Sequence, residues 1–385
     1  MKIKNHLLLL ILFTFVPTAL IWLPFFLKIE SFWGIPLPQN GMATIVANYD
    51  GPLYLVVAKS FYNPEFIRFN YSFPIPLEYY AAHFPLFPLL IKLFAGFAGF
   101  PYSMLFVTIA SSFIAILYFY KFIKGYVDEN NALWISFVFS IFPARFLISR
   151  SVGSADPLFM AAILASIYYF RKNKYWLAAI FGVIAQLTKS PGILLFISYL
   201  IFILFSGTKN IAFISFKNWL GKLNFKKFYP IFLIPLALIS VFFIYQKTLN
   251  NFFAYFNSGD NIHLFFPPFS IFNYSSPWIG TSWLEEILLI YLIAGLGLLK
   301  LIEKKEALLA TFVGVYFLSI LFVSHRDLIR YSLPILPFLF AAFSKTITKR
   351  GFKFIMAILI IPIYLFSLSF ISQNVMPIPD WAPFL

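Results

Sequence analysis

Apolar residues run along this chain in long unbroken stretches, separated by polar breaks rather than alternating with them. The first stretch, His6 to Phe26, follows Lys2 and Lys4 and is long enough to cross a ~30 Å hydrocarbon layer as a helix. It exceeds a signal peptide and has no small-residue cleavage site, so it is expected to remain as an anchor. Further runs fall at 101–120, 131–148, 157–170, 175–188, 190–206, 229–245, 284–300, 306–323, 331–344 and 354–371. With the first they predict about eleven transmembrane helices. Continuous runs exclude a membrane barrel, whose strands alternate. The expected fold class is an all-α polytopic membrane protein, one domain over 1–385.

Two segments interrupt the pattern. From Lys28 to about Ala82 the chain is polar and aromatic, carrying Glu30, Asp50, Glu65, Arg68 and Glu78. The run His83-Phe84-Pro85-Leu86-Phe87-Pro88 then leads to Phe100, interrupted by Lys92, and its prolines suggest a re-entrant or surface helix. Residues 28–100 are therefore expected to form a long first extracytoplasmic loop with interfacial or re-entrant helices. Residues 207–228 read as a basic cytoplasmic loop.

Composition supports this class: 61% of residues are hydrophobic and only 11% charged. The net charge of +15 could point to nucleic acid. Topology explains it instead. With the N-terminus in the cytoplasm, 19 of the 29 Lys and Arg but only 4 of the 14 acids face inward, as membrane insertion favours. No nucleic-acid partner is needed. The same parity places Asp50, His83, Arg150, Asp156, Lys189, Asp260, His263, Arg326, Asp327 and Arg330 at the outer face or just below it. The chain has no cysteine, so disulfides and thiol chemistry are excluded. Four histidines without ligand spacing give no reason to expect a metal, and no nucleotide-binding loop is present.

Candidate chemistry lies among those outer charges. Asp50 precedes Gly51-Pro52, so it can cap a short helix lying on the membrane surface, with Tyr54, Ala58 and Tyr62 on one face. A turn-forming cap is the plainer reading, a functional acid the sharper one. Asp156 stands before Pro157 at the mouth of a span, where a cap is again the plainer reading. Arg326 and Arg330 are four apart, a spacing that puts two guanidinium groups on one helix face to meet a phosphate or diphosphate. Snorkelling to the interface, with Asp327 partly neutralising Arg326, is the alternative. Arg150 and Lys189 carry the same two readings. His83 is either a phosphate donor or a structural ring among aromatics.

Four motifs in order resemble those of the GPI-anchor second mannosyltransferase family, within the GT-C membrane glycosyltransferases. Tyr49-Asp50-Gly51 with Tyr54-Leu55 resembles its Asp-Gly-x-x-Tyr-Leu signature, and Phe84-Pro85-Leu86-Phe87-Pro88 its Phe-Pro-Leu-Tyr-Pro run. Ser154-Ala155-Asp156-Pro157-Leu158-Phe159 is similar to its Tyr-Ser-Glu-Ser-Leu-Phe segment, with Asp for Glu. Leu187-Thr188-Lys189-Ser190-Pro191-Gly192 stands where the family has Leu-Thr-Arg-x-x-Gly, with Lys for Arg. The likeness spans roughly residues 1–200; beyond it only hydropathy and an arginine before a proline-containing span agree. It implies a polyprenyl- or dolichyl-phosphate-linked sugar donor and a catalytic base at Asp50, with a second acid at Asp156. The expected reaction moves a mannose-like hexose, without cofactor, to a lipid, glycan or protein hydroxyl at the extracytoplasmic face. Arg and Lys can supply the charge for a phosphate leaving group, so no metal is expected, and one base attacking opposite that group implies inversion. Tyr54, His83, Arg150, Lys189, Arg326 and Arg330 are the accompanying binding candidates. The implied location is the plasma membrane of a prokaryote or the endoplasmic reticulum of a eukaryote. A saccharide-lipid flippase, or an O-antigen-type ligase or polymerase, are the alternatives; no internal repeat supports the first.

Overall fold

The computed structural model describes residues 2–206, 225–259, 264–273, 284–325 and 327–385. Arg326, Asp260, His263 and most of the 207–228 segment lie outside the described residues. Helices dominate: α1 (Lys2–Phe26), α2 (Met42–Val46), α3 (Gly51–Ser60), α4 (Pro64–Asn70), α5 (Leu86–Ile123), α6 (Glu129–Ile141), α7 (Ala144–Ser151) and α8 (Asp156–Arg171). They continue with α9 (Tyr175–Thr188), α10 (Ile193–Ser206), α11 (Leu233–Leu249), α12 (Leu284–Glu303), α13 (Ala307–Ile320), α14 (Leu328–Ser332), α15 (Leu336–Ala342) and α16 (Arg350–Gln373). A two-residue hairpin, Ser31–Phe32 against Ile35–Pro36, is the one sheet among the described residues.

The expected spans fall on helical segments, with 131–148 and 331–344 each divided among two or more of them, and the chain is an all-α polytopic membrane protein. Among the described residues, four helices are long and apolar enough to cross alone: His6–Phe26, Leu86–Ile123, Tyr229–Leu249 and Arg350–Gln373. A fifth crossing forms if α6 and α7, bent by 71° at Phe142-Pro143, count as one. The other apolar helices are shorter, so the core is built from broken segments packed on the long ones. The run led by Pro85 continues as α5, broken at Gly99, whose positive φ of 72° ends the first half and lets Pro101 start the second. α8 is buried on nearly every side, between α5 and α9, as an all-apolar helix must be.

Two prolines inside α1 show how this interior balances its polar groups. Pro17 and Pro24 lack N–H groups, which frees the carbonyls of Phe13 and Leu20 four residues earlier. Both find donors on other helices. Arg150 Nη2 donates to Phe13 O at 3.2 Å, and Tyr364 OH donates to Leu20 O at 3.1 Å. Arg150 also donates through Nη1 to Thr14 O (2.9 Å) and Thr18 Oγ1 (3.1 Å), and through Nε to Ser140 O (2.8 Å) near the end of α6. This fully buried guanidinium has its hydrogen bonds taken up by α1 and α6. The expectation of Arg150 as a ligand-binding cation at the outer face is therefore corrected: it ties broken helices together.

Loops segregate to two ends. At one, Arg171 meets Tyr126 and Glu306, Lys304 donates to Ala341 O, and Lys353 reaches Asn131. α8 rises about 24 Å over its 16 residues. Asp156 thus begins at the opposite end from Arg171. There the strand-like segment after α16 pairs with the chain entering α3: Asn48 Nδ2 donates to Ile371 O (2.8 Å), and Met376 N to Ala47 O (2.8 Å).

Candidate active site

Asp50 sits at the head of α3, and Gly51 makes its position possible: a Cβ there would lie 2.3 Å from Val46 O. Pro52 occupies the first turn, as expected. The carboxylate, however, makes no cap hydrogen bond. It turns instead toward Arg330, whose Nη1 lies 3.5 Å from Asp50 Oδ2. The helix behind it is not a surface helix either. All of Gly51–Ser60 except Lys59 is buried, and Tyr62 lies beyond its end, after Phe61 takes a left-handed conformation. The apolar face expected against lipid is packed against α5 instead.

Asp156 is the first residue of α8 and is not its cap; its backbone N–H donates to Ser154 Oγ at 3.2 Å. Its carboxylate is claimed from both sides. Lys189 Nζ lies 2.6 Å from Oδ1, and Arg330 Nε lies 2.6 Å from Oδ2. Lys189 reaches there because α9 ends at Thr188 and the chain turns at once through Ser190-Pro191-Gly192. Gly192 closes that turn; a Cβ on it would sit 2.5 Å from Gln186 Cα. The resemblance segment around Lys189 thus has a physical reason for its glycine.

Arg330 joins the acids. Its guanidinium lies 4.1 Å above the Tyr49 ring, which has φ 48°, an αL conformation that turns the chain just before Asp50. Arg330 lies in α14, while Arg326, its expected partner on one helix face, lies outside the described residues. Asp327 pairs with Arg145 Nε at 3.0 Å, and Arg145 in turn stacks on Phe370 at 3.8 Å. Burial raises the Asp327 carboxyl above its ordinary range, against the pull of Arg145 and then Arg330.

Tyr54 and His83 line the inner side of α3. Their rings meet edge to face at 4.8 Å, and Phe87 packs on Tyr54 at 4.9 Å. His83 is buried with Nδ1 lacking a hydrogen-bond partner. Burial lowers its pKa, and neighbouring Asp50 only partly opposes this. It is a neutral ring in an aromatic setting. A cavity of about 20 Å³ opens beside Asp156, Lys189 and Arg330 and runs inward to Phe159, Tyr316 and Tyr331. It has room for a water-sized group.

The structure therefore brings together Asp50, Asp156, Lys189 and Arg330 from four helices or helix ends, with Tyr54 and His83 close behind. Sequence reading missed Arg145 and the ring of Tyr49 as parts of the cluster. A charge just after Pro143 in an apolar run was the available signal for Arg145. Among the described residues, no group of three His, Asp or Glu is placed to hold a metal.

The architecture is similar to that of a solved protein. The crystal structure of ArnT from Cupriavidus metallidurans bound to undecaprenyl phosphate matches 91% of this chain with a TM-score of 0.57 and 10% identity. This chain spans 62% of that protein's length. The likeness establishes a shared membrane fold. No family profile and no curated protein matches the sequence.

Proposed function

We propose that this protein is a GT-C-type membrane glycosyltransferase that moves a hexose, mannose-like, from a polyprenyl phosphate to an acceptor hydroxyl at the extracytoplasmic face. The observation that carries the reading is the pairing of two unequal carboxylates around one arginine. Asp156 is 8% exposed and held by two cations; Asp50 is 35% exposed, with one long contact. The first is fixed; the second is the weakly held one, placed to take a proton. A neighbour that shares this fold was crystallised with undecaprenyl phosphate, which supports a polyprenyl-phosphate donor.

In the proposed step the acceptor oxygen attacks the anomeric carbon while the bond from that carbon to the phosphate oxygen breaks. The acceptor proton passes to Asp50, and the bonding electron pair leaves with the polyprenyl phosphate. Displacement from the face opposite the leaving group inverts the anomeric centre. Arg330, with Lys189 behind it, offsets the charge that builds on the departing phosphate. Two cations supply this charge, so the reaction is expected to proceed without a metal.

The test uses purified protein with radiolabelled polyprenyl-phosphate mannose or glucose and a membrane extract as acceptor source. Transfer that falls about 100-fold or more in Asp50→Asn, with insertion intact, supports the assignment. Near-wild-type turnover in that variant overturns it. Lipid flux without transfer would make the protein a transporter instead.

A further inference from the structure

The paired charges around the site balance. Among the described residues, Asp50, Asp156 and Asp327 face Lys189, Arg330 and Arg145, three acids against three cations joined by direct ion pairs. A donor phosphate brings further negative charge into this neutral cluster. One way to hold it there is for a carboxylate to give up part of its cation.

The geometry selects which one. Asp156 keeps a cation on each oxygen, both at 2.6 Å, and is nearly enclosed. Leaving it short of a partner would strand a buried charge, the costly case for an ion pair. Asp50 has a single contact at 3.5 Å and remains open to solvent, so losing that contact lets water replace it. The Tyr49 ring supports the guanidinium from its face at 4.1 Å, which leaves the Nη edge free to change partners without moving the plane. Arg330 Nε can stay on Asp156 while Nη1 exchanges Asp50 for phosphate. The planar fork of arginine serves both partners; a lysine ammonium has no second edge to offer.

We infer that Asp50 and the donor phosphate compete for the same edge of Arg330, so that donor binding releases the base. Resting on the glycosyltransferase reading, this gives the reaction an order. Before the donor arrives, Arg330 holds the Asp50 carboxylate; once the phosphate takes the arginine, the carboxylate is free to accept the acceptor's proton. The donor therefore binds first, and the site does not present a competent base to an acceptor in its absence.

The consequence runs against ordinary expectation: removing the base strengthens donor-phosphate binding. The experiment measures binding of undecaprenyl phosphate and of undecaprenol, its phosphate-free counterpart, to the full-length protein in nanodiscs. Wild type, Asp50→Asn, Asp50→Ala and Arg330→Lys are compared, with Asp50→Asn also placed in the Arg330→Lys background. Both Asp50 variants should bind undecaprenyl phosphate about two- to five-fold tighter than wild type, the range of a partly exposed ion pair. Undecaprenol binding should not change, which shows that binding of the lipid chain is intact. The tightening should disappear in the Arg330→Lys background, because the contested edge is gone. Equal or weaker undecaprenyl-phosphate binding in both Asp50 variants, with undecaprenol binding retained, overturns the competition while leaving the glycosyltransferase reading standing. A wild-type protein that binds undecaprenol and undecaprenyl phosphate alike would remove the phosphate site itself, and with it both readings.

Discussion

Replacing Arg330 by lysine keeps the charge and removes the geometry. The guanidinium now meets Asp156 at 2.6 Å through Nε, Asp50 at 3.5 Å through Nη1 and the Tyr49 ring at 4.1 Å through its face. An ammonium can hold one of the carboxylates but cannot also lie flat on the ring and turn an edge to a phosphate. A hydrogen bond involving a charged group contributes about 1.5–3 kcal/mol. A cation over an aromatic ring adds about 0.5–2 kcal/mol. Losing one such bond and most of the stacking corresponds to about 2–4 kcal/mol of transition-state stabilisation, or about 30- to 900-fold in kcat/KM. The donor KM should rise and kcat should fall together, since the phosphate gains charge as the bond breaks. The assay is donor-dependent transfer by purified Arg330→Lys, beside thermal unfolding to show that the fold survives. Full turnover with unchanged donor dependence would refute the reasoning and return Arg330 to an interfacial anchor.

Arg150→Gln should lower stability by about 3 kcal/mol or more, because the carbonyls of Phe13 and Ser140 lose their donor, yet leave the donor KM unchanged in whatever fraction folds. Thermal unfolding and transfer kinetics on the same preparation separate the two effects. Glu65→Gln and Glu78→Gln, in the same loop as Asp50, should retain most of the transfer activity that Asp50→Asn loses; comparable losses would deny Asp50 a special role. His83 has its pKa lowered by burial, so the unfolded chain binds the extra proton and stability falls as pH drops below about 6.5. His83→Phe should flatten that decline in unfolding scans from pH 8 to 5, and an unchanged pH profile would contradict a buried neutral ring. Cysteines placed at the exposed Asn63 and Arg68 should react with an impermeant reagent from outside, and one at Lys304 only after permeabilisation; the native chain has no thiol to interfere. The reverse pattern would put the site in the cytoplasm.

Hydropathy was enough to locate the helices, because burying unpaired backbone groups in hydrocarbon leaves a chain of this composition little alternative. Short-range rules went further at Gly51 and Gly192, where a turn signal coincided with a real steric need. They failed where a partner lay far away in sequence. Asp50 and Asp156 fit the pattern of helix caps, and neither side chain caps; both turn to Arg330, and no local rule could weigh a cation so distant. Arg150 shows the same limit from the other side. Pro17 and Pro24 announce two carbonyls in need of donors, but only packing decides that Arg150 and Tyr364 supply them. The burial of α3 was hidden for a related reason: a short apolar helix looks alike on a bilayer surface and beneath other segments.

The network also bears on the choice between moving a sugar and moving a lipid. Alternating access requires one bundle of helices to rock against another around the bound substrate. Here Arg330, from the last third of the chain, is fastened at 2.6 Å to Asp156, which Lys189 holds from the other side. Arg145 and Asp327 make a second link between α7 and the start of α14. Separating these segments would break buried ion pairs, at about 3–5 kcal/mol for each charge left unpaired. A transporter would repeat that cost in every cycle. An enzyme gains from the same links, because they hold cations and acids at fixed distances while the weakly held carboxylate, Asp50, can be released for the proton.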